Sequence, residues 1–380
     1  MEALYSFGGV LVNRDELMRA ANKGSLYDFA RAMRGGTGSE ALSFGATSPA
    51  ASMSAAASFA ATLPAGGASD VQANQPLTIR IARFYVGRFG DRDIGNLFGD
   101  RDAILCSLYR GFAETAAAPR NLHFVAQNLP TRGNIQIADL SQPGTDIVFT
   151  TPALAHEELD VQVEANFNQF RSDLIQTVSQ ALGSAAGIPV FAAASTYLLV
   201  ASIVTKVTAG LLKVLDAEPE LQGVVRLSTF DVAIAEPVQL PYILIANPAL
   251  AVQANRTYKL DGTGLLVDSG GKAYQGDEPY AVLQVDTRPH PTLKDFKSAL
   301  VSAQLLDKFY NLKDGSPVSA LGVLLDGAKA YNDFNYRDDA KKYKTFRDGA
   351  QAGSDDYKHF DALYQAAKKN ILDVDLAGTV

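Results

Sequence analysis

Alternation of apolar and polar residues predicts β-strands through the middle of the chain. The stretches LTIRIA, residues 77–82, and EELDVQVEAN, residues 157–166, have apolar residues at every second position, which is the side-chain period of a half-buried strand. Further short strands, set off by Gly, Pro or Asn, are predicted at 102–111, 121–129, 133–140, 146–151, 223–236, 238–247 and 280–286. The stretch 264–276 predicts a hairpin that turns at Ser269–Gly271. So many short strands predict an antiparallel β-sandwich over residues 77–290 of an α+β protein.

Both ends of the chain show the helical period instead. Near the start, Asn13 and Ser25 can cap two short helices that end at glycines. Residues 1–35 are therefore predicted to form an N-terminal helical arm. Near the other end, apolar residues recur at helical spacing after three capping positions, which are Thr292, Ser316 with Pro317 behind it, and Ser354. We predict a C-terminal helical subdomain over residues 291–380.

The stretch between the arm and the first strand, residues 36–76, is rich in Ala, Ser and Gly. Its charged residues are Glu40 and Asp70. Small side chains of this kind bury too little apolar area to offset the entropy lost on ordering. We therefore predict a low-complexity linker.

An apolar stretch interrupts the strand pattern at about residues 168–215. No charged residue occurs from Leu174 to Thr205, and glycines and a proline divide this run into a helical hairpin. Two interpretations stay open: a helix that crosses one face of the sheet, or a segment that enters a membrane after activation. In either case the apolar face consists of Tyr197, Val200, Val204, Val207 and Leu211.

Composition and charge narrow the classes of function. The formal net charge of −7 and the pI near 5.2 argue against nucleic acid, because phosphate contacts need clustered cations. Cys106 is the only cysteine, which excludes an intramolecular disulfide and fits a reducing compartment. No Sec-type signal is visible at the start of the sequence. A cytoplasmic location is therefore predicted, with export by a route that needs no such signal left open.

The stretch FGDRDIGNLFGDRDAI, residues 89–104, repeats Phe-Gly-Asp-Arg-Asp in tandem. Paired aspartates next to glycine are typical of calcium loops, because a hard cation is bound by several carboxylate oxygens on a flexible turn. The same side chains could instead cap backbone groups in a turn. The candidate calcium ligands are Asp91, Asp93, Asp100 and Asp102.

This loop and the strands around it resemble the start of a C2-type β-sandwich domain. The resemblance comes from LTIRIARFYV, the aspartate loop, DAILCSLYRG, and LDVQVEANF running into a polar loop. It implies calcium and acidic-lipid binding through aspartates of two loops. In this chain the first loop would supply the four aspartates named above, and the other loop would supply Asp173. The resemblance does not explain the apolar insertion.

The reactive residue types do not form a pattern that indicates an enzyme. Cys106 falls on the same strand face as Ile104 and Leu108, and the four histidines are isolated from one another. Nucleophile-elbow, P-loop and dinucleotide-binding patterns do not occur in the sequence. We therefore predict a protein without enzymatic activity and without a cofactor other than calcium.

The C-terminal region combines aromatic residues with both signs of charge. Tyr343, Phe346 and Tyr357 are typical either of anchors to the protein body or of a protein-binding face. The predicted function is therefore a protein-binding or scaffold protein that acts through its N-terminal arm and its C-terminal aromatic helices. The alternative is a lipid-binding or pore-forming effector whose apolar hairpin, 174–215, is released by a trigger such as proteolysis.

Overall fold

The fold was analysed in a computed structural model, which describes residues 2–7, 10–13, 15, 71–88, 101–111, 121–136, 146–168, 221–228, 242–290, 293 and 317–380. Antiparallel sheets and a C-terminal helical region make up this part of the chain. The prediction of a mixed α and β protein with antiparallel sheets is therefore confirmed.

The larger sheet has seven strands. They are β1 Glu2–Phe7, β2 Val10–Asn13, β3 Leu77–Tyr85, β6 Asn134–Gln136, β7 Ile147–Thr151, β10 Tyr242–Ala246 and β13 Tyr280–Asp286. Their order is β2-β1-β10-β13-β3-β6, and β7 also pairs with β3. The alternation in LTIRIA is confirmed, because Leu77, Ile79 and Ile81 are buried in β3 whereas Arg80 pairs with Asp146 on the other face.

The smaller sheet has four strands in the order β5-β4-β8-β9. They are β4 Arg101–Gly111, β5 Asn121–Leu129, β8 Glu158–Asn168 and β9 Leu221–Ser228. One apolar core joins the two sheets. Phe84 of β3 stacks on Phe167 of β8 with 5.3 Å between ring centroids, and Tyr109 of β4 meets Phe149 of β7 edge to face at 5.0 Å. At one side, the hydroxyl of Tyr5 donates to the carbonyl of Arg226 at 2.9 Å.

The outer face of the larger sheet carries a helix and a small hairpin, α1 Pro248–Thr257 and the strands β11 Tyr258–Leu260 and β12 Leu266–Asp268. A cluster of tyrosine rings lies beneath them. Tyr85 stacks on Tyr280 at 5.1 Å and meets the edge of Tyr274 at 5.2 Å. Burial raises the pKa of Tyr85 to about 12, so the cluster is uncharged at neutral pH. The predicted turn at 269–271 is present, closed by a bond from the amide of Gly271 to the carbonyl of Asp268.

The first residues of the chain differ from the prediction of a helical arm over residues 1–35. They form β1 and β2, and β1 pairs with β10 in the larger sheet. Alternation was not visible in β1 because both of its faces are buried, Leu4 under α1 and Tyr5 in the core between the sheets. The two helices predicted between residues 14 and 35 lie outside the described residues, except for the helical Asp15.

The predicted linker, residues 36–76, is described only from Val71 onward. This last part is attached to the sheet region, because the amide of Asn74 donates to the carbonyl of Leu154 at 2.9 Å and the amide of Leu154 donates to Gln75 at 2.8 Å. The apolar insertion lies outside the described residues beyond Asn168. Among the residues that the structure does describe, no helix has the length and apolar character needed to cross a bilayer.

Residues 317–380, the C-terminal stretch that the structure describes without a gap, form three helices, α2 Pro317–Gly349, α3 Asp355–Asn370 and α4 Val374–Gly378. The predicted cap of α3 is confirmed, since the hydroxyl of Ser354 accepts from the amide of Tyr357. Helix α2 begins at Pro317, as predicted, and its predicted cap, Ser316, lies outside the described residues. The helix predicted after Thr292 lies outside the described residues, apart from Leu293.

The helices α2 and α3 pack on the turn between β7 and β8. Asn370 at the end of α3 is fully buried there. Its amide donates to the carbonyl of Ala153 at 2.6 Å and to that of Ala366 at 2.9 Å, and its oxygen accepts from the hydroxyl of Thr151 at 2.8 Å. This polar group fixes where α3 sits on the sheet region, since a buried amide without these partners would be costly.

Candidate interaction surface

The predicted calcium loop lies almost entirely outside the described residues. Asp91, Asp93 and Asp100 fall there, and Asp102 is the second residue of β4, where it pairs with Asn168. Within the described part of the chain, no group of three or more His, Cys, Asp or Glu side chains is placed to hold a metal ion. The predicted membrane or partner residues Tyr197, Val200, Val204, Val207 and Leu211 also lie outside the described residues.

The three predicted aromatic contact residues of the C-terminal helices differ in exposure. Tyr343 is only 4% exposed and belongs to the apolar cluster between the helices and the sheet region. Phe346 is 44% exposed, next to Phe360 of α3 at 5.3 Å between centroids. Tyr357 is half-buried. Tyr343 is thus an anchor in this arrangement, and a partner could reach only the other two.

A second exposed apolar group lies where α2 meets α4. Phe334 of α2 is 50% exposed, and the guanidinium of Arg337 lies 4.8 Å from its ring centroid. Leu372 is 36% exposed and Val374 is 83% exposed. We call Phe334, Leu372 and Val374 the α2–α4 patch. Exposed aromatic and arginine side chains on a firm support are the residues that most often dominate binding energy at protein interfaces.

A buried carboxylate holds the patch together. Asp333, next to Phe334, accepts hydrogen bonds from the amide of Leu372 at 2.8 Å and from that of Asp373 at 2.9 Å. Asp373 in turn caps α4 through its own carboxylate. The patch was not predicted from the sequence. The available signal was Asp373 directly before VDLAG, a capping residue at the start of a short helix.

Two other groups of polar side chains make hydrogen bonds within the fold. Ser107 of β4 and His123 of β5 form a hydrogen bond of 2.5 Å, and both side chains are fully buried. Burial alone would raise the pKa of Asp286, but hydrogen bonds from Arg288 and His290 lower it to about 2. The carboxylate is therefore ionised and bonded to residues that follow it closely in the chain, as in a local turn.

The packing around His156, where α2 meets the sheet region, is expected to weaken in acid. His156 lies between Phe149 and Tyr336 of α2, and desolvation together with the charge of Lys342 lowers its pKa to about 4. An unfolded chain binds the proton near pH 6.5. Between these two pH values the unfolded state holds more protons, so stability falls as the pH falls. The imidazole keeps some contact with solvent, so we expect a loss of about 1–2 kcal/mol between pH 7.5 and pH 5.

Denaturant unfolding at the two pH values measures this loss. His156→Phe removes the titrating group and is expected to reduce the pH dependence, whereas His290→Gln is the matched control and should retain it. Burial also lowers the pKa of His359 on α3, so some acid sensitivity is expected to remain in the variant. An unchanged pH dependence in His156→Phe would contradict the assignment.

Comparison of the chain with protein-family models, curated proteins and solved structures finds no match. Two structural observations therefore bear on function: apolar side chains of the C-terminal helices are exposed, and these helices are anchored to the sheet region.

Proposed function

We propose that this chain is a protein-binding or scaffold protein without enzymatic activity, and that it binds its partner through the C-terminal helices. The observation that carries the proposal is the α2–α4 patch, an exposed apolar surface on helices that are anchored to the sheet region. We assign the contact to the C-terminal helices and not to the predicted N-terminal arm, because the described residues 2–7 and 10–13 of that arm are strands of the larger sheet.

The patch has the composition expected of a protein contact. The ring of Phe334 offers apolar contact area, and the guanidinium of Arg337 over its face offers a positive charge next to it. Asp333 fixes the two sides of the patch relative to each other, so binding would not require the helices to be ordered first. Nearer the C-terminal end of α2 than Phe334, Phe346 and the ammonium of Lys342, 5.8 Å from its ring centroid, form a similar but separate pair.

We further propose that the sheets form an antiparallel β-sandwich that serves as the support for these helices. Three aspects favour this arrangement: the core common to both sheets, the stacking of Phe84 on Phe167, and the bond from Tyr5 to Arg226 at one side. Packed sheets with inward apolar residues are the usual way in which two antiparallel sheets bury their faces.

The experiment compares partner capture by patch variants. The full chain would be crosslinked in its native cells, and the crosslinked proteins quantified by mass spectrometry. The double variant Phe334→Asp with Val374→Asp is expected to reduce crosslinking of the main partner at least about tenfold, because charges are placed in an apolar contact. Val252→Asp on α1, which is exposed to a similar degree, is the control and should leave capture unchanged.

A separate variant, Phe346→Asp, tests whether the partner binds at Phe346 or at the α2–α4 patch. If it abolishes capture while the patch variant does not, the partner binds at Phe346 and the patch is not the site. If neither variant changes capture, the proposal that the C-terminal helices bind the partner is wrong. Circular dichroism of each variant verifies that the fold is retained.

A further inference from the structure

The α2–α4 patch continues along α2 as a stripe of positively charged residues. Phe334, Arg337, Lys341 and Lys344 follow one another at spacings of three, four and three residues, which places them along one side of a helix. Tyr343, on the other side of α2, is buried against the sheet region. Lys341 and Lys344 are exposed, as Phe334 is. A partner that reaches Phe334 can therefore also reach the two lysines.

The two lysines carry a positive charge that the described residues do not balance. The exposed carboxylates of α2 before and after them are held by arginines. The pairs are Arg337 with Asp338 and Arg347 with Asp348, at N–O distances of 3.1 and 2.8 Å. Within the described part of the chain, no carboxylate forms an ion pair with Lys341 or Lys344. Both ammonium groups are therefore available to carboxylates of a partner.

The other end of this surface carries negative charge. Asp373, which caps α4, and Asp375 flank Val374, and both are exposed. The surface therefore runs from an acidic end at α4, across the α2–α4 patch, to a basic end at Lys341 and Lys344. Complementary charge on a partner sets its orientation at such a surface. The complementary partner is apolar where it meets the patch and acidic where it meets the lysines.

The geometry of α2 sets the distance between these two contacts. At a rise of about 1.5 Å per residue, Lys341 and Lys344 lie roughly 10 and 15 Å from Phe334 along the axis of α2. Contacts at spacings of three and four residues are those that one helix makes with another packed along it. A second helix along the stripe reaches both contacts if its apolar residues and its carboxylates are about two to three turns apart.

Other anionic partners match this surface less well. Nucleic acids and acidic membranes present many regularly repeated charges and are bound by clusters of cations. This stripe has two unpaired lysines beside an apolar patch, and Asp373 and Asp375 lie beyond the patch. The net charge of the whole chain, −7, also opposes binding to an extended polyanion. The surface therefore favours a protein segment with a few carboxylates.

We propose that the partner of the α2–α4 patch is an acidic amphipathic helix that lies along α2. Its apolar residues contact the patch, and its carboxylates contact Lys341 and Lys344. This inference rests on the proposed function, because it takes the patch as the contact. It adds the chemical class of the partner and the direction in which the partner lies on α2.

A zero-length carbodiimide crosslinker tests the ionic contact directly, because it joins a lysine amine to a carboxylate without a spacer. The full chain would be crosslinked in extracts of its native cells, and the joined peptides identified by mass spectrometry. We expect crosslinks from Lys341 or Lys344 to Asp or Glu of one segment of the partner, with apolar residues about two to three helical turns away. Lys272, exposed after β12, is the control and should give no crosslink to that segment.

Removal of the two charges is the second measurement. Lys341→Gln with Lys344→Gln is expected to reduce retention of the partner on the immobilised full chain about three- to tenfold, because two exposed ionic contacts are lost. Lys341→Arg with Lys344→Arg keeps the charge and should preserve retention, as should the control Lys272→Gln. Added salt should weaken retention by the wild-type chain more than by the glutamine variant. Circular dichroism verifies that each variant is folded.

The outcomes separate this proposal from the proposed function. If Phe334→Asp with Val374→Asp releases the partner but the glutamine variant does not, the patch is the contact and the acidic helix is wrong. If the glutamine variant alone releases the partner, the lysines bind without the patch, and both proposals are wrong. Both are also wrong if neither variant changes retention. Loss of retention after nuclease treatment would identify a nucleic acid as the ligand and overturn the acidic helix.

Discussion

Replacing Phe84 with alanine is expected to lower the free energy of unfolding by about 3–5 kcal/mol. Phe84 is fully buried in β3, and its ring stacks on that of Phe167 in β8. Truncation removes a ring contact between the two sheets and leaves a cavity that neighbouring side chains can fill only in part. Denaturant unfolding of the purified chain measures the loss. Val224→Ala on β9, which is half exposed, is the control and should change stability by less than about 0.5 kcal/mol.

A double-mutant cycle makes the same experiment a test of the β-sandwich. Phe84→Leu, Phe167→Leu and the double variant are compared with the wild-type chain. If the rings stack across two packed sheets, the coupling energy between them should be about 0.5–1.5 kcal/mol. A coupling energy near zero would contradict the packing of β3 on β8, even if both single variants were strongly destabilised.

Replacing Asn370 with alanine is expected to cost about 2–4 kcal/mol of stability in the C-terminal helices. The variant loses three hydrogen bonds and leaves the hydroxyl of Thr151 and the carbonyl of Ala153 without this buried partner. Hydrogen exchange of α3 measures the effect locally. Asn335→Ala, at an exposed position of α2, is the matched control and should leave exchange unchanged.

The role of Asn370 can be separated from the packing of α3 in general. Thr151→Val keeps the shape of the threonine but removes its hydroxyl, so it should cost less than Asn370→Ala, and the two effects should not add. Fully additive effects would mean that the two side chains do not act through the bond between them. If protection from hydrogen exchange falls in α3 but not in the sheets, then Asn370 stabilises the docking of the helices on the sheet region and not the sheets themselves.

The strands were predictable wherever apolar and polar side chains alternate along them. In β3 and β8 the apolar side chains of one face lie in the core between the sheets and the other face carries mostly polar side chains, and the predicted positions of both strands are confirmed. β1 was missed because burial of both faces removes the alternation. Helix α1 was missed because it is short and its apolar stripe is weak. The sequence nevertheless contains a start signal for α1, because the side chain of Asn247 accepts from the amide of Leu250 and Pro248 occupies the first turn.

The candidate surface was only partly predictable. Aromatic residues in the C-terminal helices indicated a surface or an anchor, and sequence cannot separate the two because the choice depends on which helix face meets the sheet region. Tyr343 and Phe346 lie within one turn of each other, yet one is buried and the other exposed. The α2–α4 patch depends on a contact from Asp333 to residues well beyond it in the chain, which no local pattern contains.

The position of β1 within the larger sheet determines when that sheet can form during synthesis. β1 pairs with β10, and the strands are separated by roughly 240 residues, which at ~5–20 residues per second takes on the order of 10–50 s to make. Until then, of the described strands that pair with β1, β2 alone is available. β10 in turn would present an unpaired edge if the first residues were removed, and such edges pair readily with other chains. A truncated chain that begins after β2 is therefore expected to aggregate during expression.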